Sequence, residues 1–113
     1  VTVSELEQHA LAALARSRDP GAFARALVLK LKRPERPSPK NHAGNAFVAY
    51  AALDRGDLPH AVRCAAWALA AKLCEDRVSR SQNAGSRAAK WNFEHPLAMD
   101  DAATLIDELE GEI

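Results

Sequence analysis

Apolar positions recur at helical spacing along most of the chain, interrupted at a few turn signals. Leu6, Ala10, Ala13 and Leu14 line one face of a first predicted helix, with Leu11 beside it. Thr2 or Ser4 is placed to cap it, and Ser4 with Glu7 has the spacing of a capping box. Asp19-Pro20-Gly21 stops that helix near Arg18. A second follows with Phe23, Ala26, Leu27 and Leu31 as its buried stripe, ending at Arg33-Pro34. Residues 33–41, RPERPSPKN, hold three prolines among basic residues and read as a stiff, extended connector, since proline fixes its own φ and restricts the residue before it. An exposed linker is the ordinary reading of such a stretch; a polyproline-type ligand for another domain is the alternative.

The strongest pattern runs from Asn45 to Leu73. Ala46, Tyr50 and Leu53 share one helical face, and Phe47 and Ala51 another. Gly56 tolerates the left-handed backbone that ends a helix. Asp57 can cap the next one, with Pro59 inside its first turn, where a missing N–H costs nothing. Leu58, Val62, Ala65, Ala66, Leu69 and Leu73 then form a stripe, and Ala61, Ala65 and Ala68 keep that face thin enough for close helix approach. Trp67 sits just off the stripe and is expected to widen the buried face. Beyond Leu73 the apolar pattern weakens. Residues 75–91 predict a polar, partly exposed helix dominated by Arg77, Arg80, Arg87 and Lys90 and ending in Trp91. After the break at Asn92–Pro96, Asp100 or Asp101 caps a final helix with Ala102, Ile106 and Leu109 inward.

Gly56-Asp57-Leu58, then Ala61-Val62, then Ala68-Leu69, resembles the second half of a tetratricopeptide (TPR) repeat. Gly21-Ala22-Phe23 with Ala26-Leu27 repeats the spacing 35 residues earlier, near the repeat length of TPR arrays. That resemblance implies a protein-binding scaffold of stacked helical hairpins. Two hairpins are fewer than a solenoid ordinarily needs, so a closed bundle is the equal alternative. The run Ala61–Leu73 also resembles the hairpin helix of HEPN-type helical bundles, many of them ribonucleases. In that family an Arg followed by a His after four to six residues forms the active site, which implies phosphate stabilisation and proton transfer. Arg55 with His60, and Arg36 with His42, match the spacing; Arg87 and His95 lie further apart.

Length and composition narrow these readings. A chain of 113 residues is one domain by default, and its apolar content of 48%, with aromatics at 5%, implies a core of small side chains. A net charge of zero argues against a wholly basic nucleic-acid binder. The charge is nevertheless segregated. From Arg16 to Lys40 there are eight basic residues and two acidic; from Glu94 to Ile113 there are seven acidic residues and no Lys or Arg. In a bundle the acidic last helix is expected to lie against the basic segments.

Cys64 and Cys74 stand ten residues apart on one predicted helix, roughly 15 Å at about 1.5 Å per residue, which is too far for a disulfide within it. Reduced thiols fit a cytoplasmic protein. No apolar run approaches the roughly 20 residues of a membrane span. High Ala and Arg content points to a GC-rich bacterial genome. The chain contains no Gly-rich phosphate loop, GxSxG, HExxH or CxxC motif. His60 and Cys64, at i and i+4, are two ligands and make no zinc site by themselves, so Cys64 reads as a small core residue.

The expectation is therefore an all-α single domain over residues 1–113, a five- to six-helix bundle of antiparallel TPR-like hairpins. Its expected role is a non-catalytic protein–protein interaction module, such as an adaptor, regulator or inhibitor, without metal or cofactor. One form of that role is a toxin-neutralising immunity or antitoxin protein. The candidate partner-binding surface is Arg77, Arg80, Arg87, Lys90 and Trp91, since tryptophan is enriched among interface hot spots. The same basic residues offer the alternative of nucleic-acid binding, and leftover apolar surface offers a homodimer.

Overall fold

The computed structural model describes residues 2–35, 41–79 and 96–113, without the side chains of residues 3, 41–44 and 77–79. Every regular element among the described residues is a helix: α1 Val3–Arg16, α2 Pro20–Val28, α3 Asn41–Asp54, α4 Leu58–Ser79 and α5 Pro96–Glu112. The expected all-α bundle is the observed architecture. None of the described helices is long and apolar enough to cross a membrane.

Local chemistry sets the helix ends. Thr2 caps α1, its hydroxyl oxygen accepting from the Glu5 amide at 3.1 Å. The expected Ser4–Glu7 box does not form the cap, which leaves the Glu7 carboxylate for a contact described below. Asp19 caps α2 through the Ala22 amide at 3.0 Å, with Pro20 in the first turn. This helix is shorter than its apolar stripe implied. It ends at Val28, and two tighter bonds, Lys30 N to Leu27 O and Leu31 N to Val28 O, carry the chain one turn further so that Leu31 is still buried. At the end of α3 the Asp57 amide donates to Ala52 O at 2.9 Å and the Gly56 amide to Leu53 O at 3.1 Å. This is a Schellman closure around Gly56 at φ +79°. Gly21, its counterpart in the sequence parallel, sits inside the first turn of α2, so the two glycines do different jobs.

The core is built on α4, which packs against each of the other four described helices and most extensively against α3. Its positions in the core cluster, Ala61, Val62, Ala65, Ala66, Ala68, Leu69 and Ala70, run around much of the helix rather than down one stripe. A helix buried on several sides needs small residues on each of them. The larger side chains come from its neighbours: Leu6 and Leu14 from α1, Phe23, Leu27 and Val28 from α2, and Met99, Ile106 and Leu109 from α5. The last helix begins at Pro96, before the expected Asp100 or Asp101, and buries Ala98 and Met99 with its first turn.

Polar contacts tie the ends together. Arg16 forms a two-pronged pair with Glu110, Nε to Oε2 at 3.0 Å and a terminal nitrogen to Oε1 at 3.1 Å. His9 meets Asp107 at 2.7 Å. The acidic last helix thus sets two of its carboxylates against α1; of the basic segment Arg16–Lys40 it meets Arg16, and its other partner, His9, precedes that segment. The exit from α2 is strapped down as well. The buried Tyr50 hydroxyl donates to Leu31 O at 2.6 Å, Lys72 Nζ donates to Lys30 O at 3.2 Å, and Arg33 lies over the Tyr50 ring while meeting Asp54 at 2.7 Å.

Candidate functional site

His60, Arg63, Cys64 and Trp67 stand at i, i+3, i+4 and i+7 on α4, so they share one face of its N-terminal half. With Glu7 of α1 and Asn45 of α3 they line an open cleft of about 180 Å³. Trp67 is half-buried, and its indole N–H donates to the Glu7 carboxylate, which anchors the ring across the α1–α4 boundary. The expected core tryptophan is instead a wall of a cleft, because a buried indole N–H needs an acceptor and Glu7 supplies one here. Asp57 organises the start of the face, its carboxylate accepting from the His60 amide at 3.4 Å.

There the His60 ring stands between two partners. An Arg63 terminal nitrogen lies 3.4 Å from Nδ1, and Cys64 Sγ lies 3.8 Å from Nε2. A guanidinium only donates, so the Arg63 contact is a hydrogen bond in the tautomer whose Nδ1 accepts and whose Nε2–H faces the sulfur. This assignment bears on metal binding. A histidine that ligates a metal through Nε2 ordinarily donates its Nδ1–H to an acceptor, and Arg63 offers a cation there instead. Among the described residues no three His, Cys, Asp or Glu side chains gather as a metal site. The neighbourhood also sets the state of the thiol. Burial pushes the Cys64 pKa above the ordinary cysteine range; Arg63 and Arg55 act against that shift, while Glu7 and Asp57 add to it. Cys74, further along α4, is also raised, by burial first and Glu75 second. The two cysteines are not joined in a disulfide.

The surface singled out from the sequence is placed only at its edge. Arg77 belongs to the last turns of α4 with its side chain outside the described residues, and Arg80, Arg87, Lys90 and Trp91 lie outside them altogether. So do Arg36 and His95, and the side chain of His42. Of the Arg–His pairs, Arg55 meets Asp57 at 3.6 Å while His60 turns to Arg63 and Cys64.

The contributions of Glu7, Asn45 and Arg63 were not foreseen. The i, i+3, i+4, i+7 spacing of polar and aromatic residues on α4 was present in the sequence and marks the face. Nothing local pairs Glu7 with Trp67, 60 residues away. Compared with known proteins, the chain matches no family model, no curated protein and no solved structure.

Proposed function

We propose that this chain is a non-catalytic protein-binding module, a small adaptor, regulator or inhibitor that takes a partner's side chain into the cleft between α1, α3 and α4. The observation that carries the reading is the braced Trp67 wall beside Arg63 and His60. Tryptophan and arginine dominate the energetics of protein interfaces, most of all where the ring is held before the partner arrives. A toxin-neutralising immunity or antitoxin protein is one form of this role. The TPR-like hairpin reading of α3 and α4 belongs to the same proposal, as does a cytoplasmic setting in which both thiols stay reduced. The basic stretch Arg77, Arg80, Arg87, Lys90 and Trp91 is a second surface available to the same partner.

The test is capture of a partner by the full chain, with Arg63→Glu and Trp67→Ala as variants and helicity checked by circular dichroism. A stoichiometric protein that survives nuclease treatment and is lost with both variants supports the cleft. A partner retained by both variants but lost on substituting Arg77, Arg80 and Arg87 together moves the site to the basic stretch. Recovery of nucleic acid alone, lost steeply as salt rises, replaces this reading with the nucleic-acid one.

A further inference from the structure

We infer that this chain associates head to tail with copies of itself, the acidic outer face of α5 on one copy docking on the basic exit of α2 on the next. The first observation is charge left unmatched within the molecule. Of the basic segment, Arg16 meets Glu110 of α5 and Arg33 meets Asp54 of α3. Arg25, Lys30 and Lys32 are exposed and form no ion pair among the described residues. Lys72 adds its charge at the same place, its Nζ donating to Lys30 O. On α5, Asp100, Thr104, Glu108 and Gly111 are exposed at i, i+4, i+8 and i+11, which is one helical face. Asp100 and Glu108 also form no ion pair among the described residues, and no Lys or Arg occurs from Glu94 to Ile113.

The second observation is apolar. Leu29, 59% exposed, stands one turn beyond Arg25 and beside Lys30. Leu97, 46% exposed, stands on the same face of α5 as Asp100, three residues before it. Each charged face therefore carries a large apolar side chain. A surface that covers one of them needs the opposite charge around an apolar patch, and the other face of this chain has that composition. The third observation is placement. The exit of α2 is strapped over α3 and α4 through Tyr50 and Lys72, whereas α5 packs against α1, α2 and α4 and not against α3. The two faces lie on different sides of α4 and do not meet within one molecule, so the complement of each is supplied by a second copy. Because the faces differ, the contact runs head to tail. A net charge of zero leaves the copies without the overall repulsion that opposes such contacts. None of these residues lines the cleft, so this association and the proposed function stand separately.

The experiment is sedimentation velocity on the full reduced chain over a concentration series, with the helicity of each variant checked by circular dichroism. At about 10 mM salt the average mass should rise with concentration, and the association should weaken at least about tenfold by about 150 mM, as the screening length falls from about 30 to about 8 Å. Lys30→Glu with Lys32→Glu, and separately Asp100→Lys with Glu108→Lys, should each leave a monomer. Mixed in equal amounts the two variants should associate again, because one keeps the acidic face and the other the basic one. Leu29→Ser leaves the charge unchanged and should weaken association at least about threefold. A parent that stays monomeric at low salt overturns the proposal and leaves both faces to partners of another kind. A charge-reversed variant that associates as well as the parent also overturns it, as does a mixture that stays monomeric or a Leu29→Ser chain indistinguishable from the parent.

Discussion

At the scale of single residues, two side chains on α4 report on the same cleft in different ways. Trp67 donates its indole N–H to the Glu7 carboxylate across the boundary of α1 and α4. Glu7 is only partly buried, so water replaces much of what is lost when the pair is broken. Glu7→Gln should therefore cost about 1 kcal/mol or less in urea denaturation, with a shift in tryptophan emission as the ring loosens. A loss above about 3 kcal/mol would mean that Glu7 supports packing as well as the indole. Cys64 carries a pH signature. Its pKa is raised in the folded chain, chiefly by burial, so the folded state binds the thiol proton more tightly than the unfolded one. The stabilisation is full below the ordinary thiol value of about 8.5 and is lost as pH rises through the higher folded value. Cys74 has the same sign. The decline in stability between about pH 8 and 10 should be shallower in Cys64→Ala than in the parent, and shallower again when Cys74 is replaced too. An unchanged slope would show that the thiols do not titrate differently on unfolding.

At the scale of elements, the α3–α4 connection was the most legible part of the chain, because a turn of this kind is written in adjacent residues. Gly56 at φ +79° is where a Cβ is strained, and Asp57 both closes α3 and opens α4. No atom lies within 4 Å of a Cβ placed on Gly56, so Gly56→Ala tests backbone strain without a steric clash. It should lower stability by about 1 kcal/mol, read as a drop in the urea midpoint with an unchanged slope. No loss would mean the turn relaxes out of the left-handed region. The caps of α1 and α2 were equally local, though Thr2 rather than Ser4 does the capping, and a choice between two hydroxyls two residues apart depends on where the backbone turns helical. The cleft was legible only in half. His60, Arg63, Cys64 and Trp67 share a face by spacing alone, whereas Glu7 and Asn45 arrive from other helices through packing that no local pattern encodes. Trp67 was misplaced into the core for the same reason: its apolar ring fits a stripe, and its N–H is satisfied by a residue distant in sequence.

At the scale of the whole molecule, the alanines decide the geometry. Read from the sequence, Ala61, Ala65 and Ala68 mean only that one face of a helix is thin. In the bundle they are fully buried along with Ala66 and Ala70, which lie on other sides, and α4 packs against the four other described helices. Apart from Val62 and Leu69, the buried positions of α4 in the core are alanines, and most of the bulk that fills the interior, Phe23, Leu6, Leu27, Met99 and Ile106, is supplied by the helices around it. This division of labour accounts for a chain with so few aromatics reaching a closed core: volume is carried by the periphery and proximity by the centre. It also makes the centre intolerant. Ala65 is fully buried, so the isopropyl group that leucine adds there must displace a neighbouring helix or leave its rotamer well. Ala65→Leu should therefore destabilise by about 1–3 kcal/mol despite adding apolar surface. The same change at partly buried Ala26 on α2, which packs against the core, should cost less than at Ala65, about 1 kcal/mol or below. Both are read from urea midpoints. If Ala65→Leu proved neutral or stabilising, α4 would be loosely held and the braced cleft on its N-terminal half would lose its rigid support. If the two substitutions differ as expected, the close approach of the helices to α4 is what keeps His60, Arg63, Cys64 and Trp67 in register with Glu7.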